Sequence, residues 1–221
     1  MEYPGLTRAR NYTSLHPGTS AARRVFGTVP ADIRTELVRK SIHMFIAFVP
    51  LFARTIGTVA TMSLLAFGTV FYAVAEIERL SGRPVFVIGR LTAMAQRSRD
   101  IGHFVMGPVT LGLGAMAALL LYPYPAAAIA IYALAFGDGF ASLVGKAVGR
   151  HALPFTQGNK SIEGSLACFA SVFAASSIFL VHSGQAFLVA LVATALEAAP
   201  GKDIDNLLLP IGTGLVVAII L

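Results

Sequence analysis

Charged residues are scarce in this sequence. Only 13% of the 221 residues are Asp, Glu, Lys or Arg, whereas 56% are hydrophobic and the mean hydropathy is +0.73. A soluble domain carries about 25% charged residues, so this chain has too little polar surface to cover a water-soluble core of its size. The shortage excludes a soluble globular enzyme and a disordered tail, and it predicts an integral membrane protein.

Cysteine is nearly absent as well. Cys168 is the single cysteine and lies within an apolar stretch, so no internal disulfide can form and a disulfide scaffold is excluded. We expect Cys168 to be a small packing residue. Residues 1–40 contain no hydrophobic stretch of the kind found in a signal peptide, so no cleavage is expected.

Long uncharged stretches predict the membrane spans. Residues 55–75 are 21 consecutive residues without a charge, the length that crosses a hydrocarbon core of about 30 Å. The uncharged stretches 101–137 and 164–196 are too long for one span, and each is interrupted by a turn sequence. The predicted fold is an all-α, polytopic transmembrane bundle of about seven helices, at 37–53, 55–78, 101–121, 125–148, 161–181, 185–199 and 206–221.

The basic residues follow the alternation of these spans. Segments 1–40, 79–100, 146–160 and 200–206, with the adjoining helix ends, hold 16 of the 17 Lys and Arg residues, and the remaining one is Arg54. None of the 11 acidic residues falls on the Arg54 side. By the positive-inside rule the charged side is cytoplasmic. The N-terminus and the active site are therefore expected to face the cytoplasm.

Two parts of the chain are expected. Residues 1–36 are interpreted as a basic cytoplasmic arm near anionic headgroups, and residues 37–221 as a single transmembrane catalytic domain. Residues 80–99 alternate arginine with apolar residues and predict an amphipathic helix in the membrane interface. The net charge of +6 is attributed to the membrane surface rather than to a nucleic-acid polymer, and the oligomeric state stays open.

Asp138 is the acid that requires an explanation. It lies ten residues before the predicted end of the fourth helix, with no cation within one turn, and a charge at the centre of a membrane helix costs at least about 2.5–3.5 kcal/mol. Ala141, Gly145 and Gly149 follow on the same helix face, where a backbone, a metal or a phosphate can approach closely. A packing stripe explains the glycines but not the aspartate, so we expect Asp138 to be functional.

A second polar cluster precedes the fifth predicted helix. Asn159, Lys160 and Ser161 come directly before an apolar stretch, where free backbone N–H groups predict a phosphate seat and Lys160 adds a charge. Glu163 follows one turn into the helix. The segment does not match a Walker A loop. From these residues alone a transporter with Asp138 as its ion site stays open, although paired broken helices or inverted repeats are not evident.

Five motifs resemble those of the CTP-dependent lipid-alcohol kinases, the family of dolichol kinase, phytol kinase and the CTP-using diacylglycerol kinases. In chain order they are Glu36-x-x-Arg39-Lys40-x-x-His43; Glu76-x-x-Arg79; Asp138-x-x-Ala141-x-x-x-Gly145-x-x-x-Gly149; Asn159-Lys160-Ser161-x-Glu163-Gly164-Ser165; and Glu197 followed by Asp205-Asn206 and Pro210. The chain is similar to the short, phytol-kinase-like form, since the extra N-terminal helices of the larger dolichol kinases are not seen.

Phosphatidate cytidylyltransferase, which makes CDP-diacylglycerol, is similar in the same region and is the nearest alternative. Its late signature is a Pro-Gly-His-Gly-Gly run followed by Asp-Arg and a further Asp. Residues 200–206 read Pro-Gly-Lys-Asp-Ile-Asp-Asn instead. The missing histidine, paired glycines and Asp-Arg favour the kinase.

The resemblance implies transfer of the γ-phosphoryl of CTP to the hydroxyl of a membrane lipid alcohol, with Mg²⁺ as the cofactor. The alcohol is a polyprenol or dolichol, a phytol-type isoprenoid or diacylglycerol. The implied metal ligands are Asp138, Glu163, Asp205 and Glu197. The implied nucleotide-binding residues are Arg39, Lys40, Gly145, Gly149, Asn159, Lys160, Ser161 and Asn206. Asp138, with His43 as the alternative, is expected to accept the proton of the alcohol, and Lys160 and Glu163 are the further catalytic candidates.

Overall fold

The computed structural model describes residues 31–96, 100–154, 156, 160–199 and 204–221. Residues Ala31–Leu221 form one compact unit. The described residues are helical apart from turns and one isolated antiparallel bridge between Ala152 and Ser161, which confirms the all-α prediction. The arm at 1–30 lies outside the described residues, as do Asn159 and the stretch 200–203 that bears on the cytidylyltransferase comparison.

Ten α-helices form the described unit. They are α1 Ala31–Met44, α2 Val49–Thr55, α3 Thr58–Leu80, α4 Phe86–Ala95, α5 Gly107–Leu121, α6 Ala126–Tyr132, α7 Gly139–Val148, α8 Ile162–Ser177, α9 Ser183–Ala198 and α10 Asp205–Ile220. A 3-10 turn, Phe45–Phe48, joins α1 to α2, and a π-helical segment, Ala133–Asp138, joins α6 to α7.

The first predicted helix, at 37–53, is wrong in its limits and its continuity. Helix α1 begins at Ala31, so it includes the last six residues of the segment that was assigned to the basic arm, and it ends at Met44. The chain then makes a 3-10 turn before α2 starts with Pro50 in its first turn. Proline has no N–H and its ring clashes with the preceding turn of an α-helix, so the run 37–53 cannot continue as one α-helix.

The interfacial helix predicted at 80–99 is shorter than expected. Helix α3 runs through Leu80, a turn containing Gly82 at φ 80° follows, and α4 covers only Phe86–Ala95. Positive φ is a conformation that glycine adopts without steric cost, so the helix pattern breaks there. The third predicted helix likewise starts late, at Gly107, because Pro108 occupies the first turn of α5.

The predicted fourth helix, at 125–148, forms the centre of the unit. Its first half is almost completely buried, and it contributes to both apolar clusters of the core. One cluster joins α6 to α8, α9 and α10, and the other joins it to α5 and the 3-10 turn. The helix is not regular, since the π-helical segment Ala133–Asp138 widens it in the middle. Such π-helical turns occur frequently at functional sites.

Within the part of the chain that the structure describes, two helical stretches are long and apolar enough to cross a membrane. They are Thr58–Leu80 and Ala126–Val148, and several shorter apolar helices of 10–17 residues accompany them. The two differ in burial, since 11% of the apolar window is buried in Thr58–Leu80 and 67% in Ala126–Val148.

Candidate active site

Asp138 ends the π-helical segment, and the glycines on either side of it lie close to α8 and α1. A Cβ atom at Gly137 would lie 2.9 Å from Val172 of α8, and one at Gly139 would lie 2.8 Å from Met44 of α1. Because neither glycine has a side chain, both neighbouring helices can pack against the segment that carries Asp138. The aspartate itself is buried, with 6% of its surface exposed.

Two cationic or titratable side chains from α1 contact the Asp138 carboxylate. Lys40 Nζ forms an ion pair with Asp138 Oδ2, and Nε2 of His43 lies 3.2 Å from the same oxygen. All three side chains are buried. The sequence offers no cation near Asp138, but the fold supplies one from a residue 98 positions away. A buried charge is tolerated when it is paired in this way.

The contacts of His43 define which ring nitrogen carries its proton. Nε2 lies 2.9 Å from the carbonyl oxygen of Leu134, and a carbonyl oxygen can only accept a hydrogen bond. Nε2 is therefore the protonated nitrogen of a neutral His43, which leaves Nδ1 as the basic nitrogen. Leu134 lies in the π-helical segment, so the same irregular turn orients both Asp138 and His43.

A second buried carboxylate, that of Glu36, lies beside the first, and its cationic partners are partly exposed. Glu36 of α1 is fully buried and contacts Arg39, one turn along the same helix, and Lys146 of α7, whose Nζ lies 2.6 Å from Glu36 Oε2. The contacts Glu36–Lys146 and Lys40–Asp138 run in opposite chain directions, so α1 and α7 are antiparallel. The motif around Arg39 and Lys40 is thereby placed directly over Asp138.

Lys160 and the two acids of the last motif belong to the same cluster. The Lys160 ammonium donates to the backbone carbonyl of Glu197 and lies 3.1 Å from its Oε1 atom. Both Glu197 and Asp205 interact electrostatically with Asp138, Lys40 and Lys160. The fold therefore gathers three carboxylates and two lysines, which the sequence spreads from residue 40 to residue 205.

Glu163 has a different partner from the one its predicted role requires. Its carboxylate contacts His151, whose Nδ1 lies 2.7 Å from Glu163 Oε1 and whose backbone N–H donates to Oε2 at 3.3 Å. Within the described residues, these contacts join Glu163 to the loop before α8 rather than to Asp138. The assignment of Glu163 as a metal ligand and catalytic residue stays a prediction.

The glycines Gly145 and Gly149 lie where α7 crosses the start of α8. A Cβ atom at Gly149 would lie 2.7 Å from Ser161 Oγ, and one at Gly164 would lie 2.6 Å from the carbonyl oxygen of Ala141. Ser161 is the N-cap of α8, since its Oγ accepts a hydrogen bond from the Gly164 N–H at 3.1 Å. Helix packing and capping account for these small residues, and their predicted contact with a nucleotide stays untested.

Asn206 connects the last helix to α5. Its Nδ2 donates to Thr110 Oγ1 at 2.9 Å and to the carbonyl oxygen of Gly107 at 3.4 Å. Asn206 is buried, and these bonds hold the start of α10, next to Asp205, against the start of α5. The amide is therefore engaged in positioning the two helices.

Three residues at the site have no role in the sequence prediction. Lys146 neutralises Glu36, His151 holds Glu163, and Thr156 organises the loop by accepting from the Lys160 N–H at 3.3 Å. For Lys146 a sequence signal exists, because it lies two helical turns after Asp138 on the small-residue face. Pairing with Glu36, 110 positions away, only becomes visible in the fold.

The fold and the site together define a class of protein, an all-helical apolar body with a buried site of carboxylates and lysines. Comparison with known proteins agrees with the resemblance found in the sequence. The chain is 34% identical over 125 residues to a phytol kinase of Synechocystis sp. (strain ATCC 27184 / PCC 6803 / Kazusa), which covers 53% of this chain and 49% of the relative. It is 26% identical over 214 residues to "Probable phytol kinase 2, chloroplastic" of Glycine max, covering 83% of this chain and 65% of the relative.

A third relative, "Probable phytol kinase 1, chloroplastic" of Oryza sativa subsp. japonica, is 34% identical over 105 residues, 40% of this chain and 33% of the relative. The chain thus spans between a third and two thirds of the length of these curated relatives. No protein-family model and no solved structure matches the chain. The relatives confirm the resemblance to lipid-alcohol kinases, and each of the three carries the name of a phytol kinase.

Proposed function

We propose that the protein is an integral-membrane kinase that transfers the γ-phosphoryl group of CTP to the hydroxyl of a phytol-type isoprenoid alcohol. The observation that carries the proposal is the contact of Asp138 with Lys40 and His43, with Glu197, Asp205 and Lys160 within electrostatic range, in a chain related to phytol kinases. Phosphoryl transfer needs cations and oriented acceptors around the phosphates rather than covalent chemistry by the protein. This cluster contains both.

The lysines of the cluster would bind the nucleotide phosphates. Lys40 and Lys160 each neutralise a buried carboxylate, and an ammonium group has three donors that can serve more than one acceptor. Arg39, whose guanidinium contacts Glu36, would add a further phosphate contact. The choice of CTP rather than ATP follows the family resemblance.

The carboxylates fit a magnesium ion in their chemistry. Mg²⁺ prefers oxygen ligands and binds in kinases through one or two carboxylates together with the substrate phosphates. Asp138, with Glu197 and Asp205, would hold it, although no group of three or more His, Cys, Asp or Glu side chains among the described residues is arranged as a metal site by itself. The ion would neutralise charge on the phosphates.

Asp138 and His43 are adjacent candidates for the proton acceptor. The hydroxyl oxygen of the alcohol forms a bond to the γ-phosphorus, the bond from that phosphorus to the β-bridging oxygen breaks, and CDP leaves with the electron pair. The hydroxyl proton passes to Asp138 or to Nδ1 of His43, which is the basic nitrogen of the neutral ring. Because His43 contacts Asp138 at 3.2 Å, the two side chains act as one unit in either case.

The exposed surface supports the membrane location. Helix α3 has 23 residues, yet large apolar side chains such as Val59 and Phe67 are 80% and 69% exposed. Contiguous exposed apolar surface of this kind marks a contact with lipid or protein. We propose a multi-pass protein with seven spans, in which α1 and α2 form the first and the cluster around Asp138 faces the cytoplasm.

A labelling experiment separates the proposed function from its alternatives. Purified protein is given CTP labelled at either the α or the γ phosphate, Mg²⁺, and separately phytol, a polyprenol, diacylglycerol or phosphatidate. Label from the γ position in phytol supports the proposal. Label from the α position in phosphatidate identifies a cytidylyltransferase. Absence of both labels from the lipids, with protein shown to be folded, argues against both enzymes and favours a transporter. Labelled ATP in the same assay tests the nucleotide.

A further inference from the structure

A cavity of about 190 Å³ lies beside the candidate active site, between α1, α3, α4 and α5. Its walls are mainly apolar and include Ile42 of α1, Leu91 of α4 and Leu111 of α5. Tyr72 of α3 lines it too, and the Tyr72 hydroxyl donates to the Val105 carbonyl oxygen at 3.1 Å, which ties α3 to the segment before α5. The cavity is thus lined mainly by apolar side chains, and this hydrogen bond joins two of the segments that form its wall.

Polar side chains of the candidate active site contribute to this cavity. Arg39 and His43 belong to its lining, and His43 also contacts Asp138. A guanidinium group carries five N–H donors and an imidazole ring carries a donor and an acceptor, so these two side chains can hydrogen-bond to a hydroxyl group in the cavity. The other polar lining residues are Tyr72, Thr92, Asp100 and Asn206, and the rest of the lining is mainly apolar.

The combination of polar and apolar lining residues matches an amphipathic ligand. The apolar walls give a cytidine base and ribose few hydrogen-bond partners, whereas an alkyl or isoprenoid chain gains free energy from leaving water or headgroups. Helix α4 forms one wall, and on its other faces Phe86, Val87 and Met94 are exposed. Apolar side chains of α4 therefore line the cavity and also lie on the outer surface, where a bilayer would surround the helix.

We propose that this cavity binds the lipid-alcohol acceptor, with its hydroxyl at His43 and Arg39 and its first isoprenoid units between Ile42, Leu91 and Leu111. The inference rests on the proposed function and adds to it the place of the acceptor and the residues that select it. Helix α4, which the sequence presents as an interfacial amphipathic helix, becomes a wall of the substrate site. Cavity-lining residues of α4 and α5 therefore control which alcohols are accepted.

Gly107 provides the test. It lines the cavity at the start of α5, and a Cβ atom added there meets no heavy atom within 4 Å. The backbone therefore has room for a side chain at this position, and we expect the side chain of Gly107→Leu to take up part of the cavity. Gly68→Leu is the matched control, since Gly68 is also helical, has nothing within 4 Å of an added Cβ, and does not line the cavity. We expect Gly107→Leu to raise the KM for phytol about tenfold or more, the effect of filling an apolar pocket. The KM for CTP should stay within about twofold, and Gly68→Leu should leave both constants unchanged.

A second readout does not depend on catalysis. A C20 isoprenoid alcohol with a diazirine near its hydroxyl is photolysed with wild-type protein in phosphatidylcholine vesicles without nucleotide, and the adducts are mapped by mass spectrometry. Adducts at α1, α4 and α5 around the cavity, lost in Gly107→Leu, support the inference. An unchanged KM for phytol in Gly107→Leu, or adducts confined to the outer face of α3, would overturn it. Adducts in the cavity without transfer of γ-label would overturn the proposed function alone.

Discussion

At the scale of single residues, the buried carboxylate of Asp138 is the central group of the candidate active site. It is balanced by Lys40 and in contact with His43, and the two bonds connect the N-terminal motif to the small-residue motif. The sequence alone indicates that Asp138 is unusual, because an acid within an apolar helix is costly. It does not indicate the partner, since Lys40 is 98 positions away and residue spacing carries no information on contacts between distant helices.

The pairing predicts how charge removal affects stability. Asp138→Asn leaves the Lys40 ammonium buried without its carboxylate, which costs about 3–5 kcal/mol when a buried pair loses one partner. The double variant Lys40→Met with Asp138→Asn removes both charges and should recover most of that loss. Unfolding in detergent micelles, followed by circular dichroism, measures both variants. Equal instability of the single and double variants would contradict the assigned pairing.

Lys146 gives a second prediction at this scale. Lys146→Met removes a cation that contacts the fully buried Glu36, and a hydrogen bond to a charged group is worth about 1.5–3 kcal/mol. Arg83→Met is the control, because Arg83 and its partner Glu78 are exposed and exposed pairs contribute about 0–1 kcal/mol. The same unfolding measurement should show a clear loss only for Lys146→Met. A larger loss of unfolding free energy in Arg83→Met than in Lys146→Met would contradict the assignment of Lys146 as a stabilising partner of Glu36.

At the scale of helices, the uncharged stretches locate most of the elements, and the failures have local causes. The predicted helices at 161–181, 185–199 and 206–221 correspond to α8, α9 and α10 within a few residues. The first predicted helix is interrupted because of Pro50. A prediction that counts uncharged residues does not detect this interruption, because proline is uncharged. The π-helical turn before Asp138 has no sequence signature in the hydrophobic pattern, although it decides where Asp138 and Leu134 point.

The close crossing of α7 and α8 predicts that alanine substitution destabilises the protein at Gly164 but not at Gly184. Gly164→Ala places a Cβ atom 2.6 Å from the Ala141 carbonyl oxygen, whereas the same change at Gly184, also in the first turn of a helix, meets nothing within 4 Å. We expect Gly164→Ala to lower the free energy of unfolding by about 1–3 kcal/mol through overpacking. Gly184→Ala should be neutral or stabilising by up to about 1 kcal/mol.

The same pair of variants tests the role of the small-residue face. If the face serves packing, the KM for CTP in the folded Gly164→Ala protein should remain close to that of the wild type. A large rise in this KM with unchanged stability would instead assign the face to nucleotide binding, as the family resemblance implies for Gly145 and Gly149. Thermal unfolding and initial rates on the same preparations distinguish the two results.

At the scale of the whole molecule, the distribution of charge predicts the topology. Basic residues concentrate on one side of the seven proposed spans, with Arg54 alone on the other, where its guanidinium lies 5.1 Å from the centre of the Tyr124 ring.

Cysteine labelling tests this topology. The native Cys168 is completely buried, so Cys168→Ala provides a background for introduced cysteines. We expect Ser81→Cys and His151→Cys to react with a membrane-impermeant maleimide only after the cytoplasmic face is opened. Gly57→Cys and Ser183→Cys should react in intact cells, and the reverse pattern would refute the orientation.

The central claim is that a chain with the buried Asp138 cluster phosphorylates a lipid alcohol. The most direct measurement is transfer of γ-label from CTP to phytol by wild-type protein, Asp138→Asn and Glu78→Gln, each shown to be folded and present in the membrane at equal amounts. Glu78 is the control because its exposed ion pair lies away from the cluster. The account predicts transfer by the wild type and by Glu78→Gln, and a loss of about a thousandfold or more in Asp138→Asn, as for removal of a catalytic group. Transfer by Asp138→Asn at the wild-type rate would contradict it.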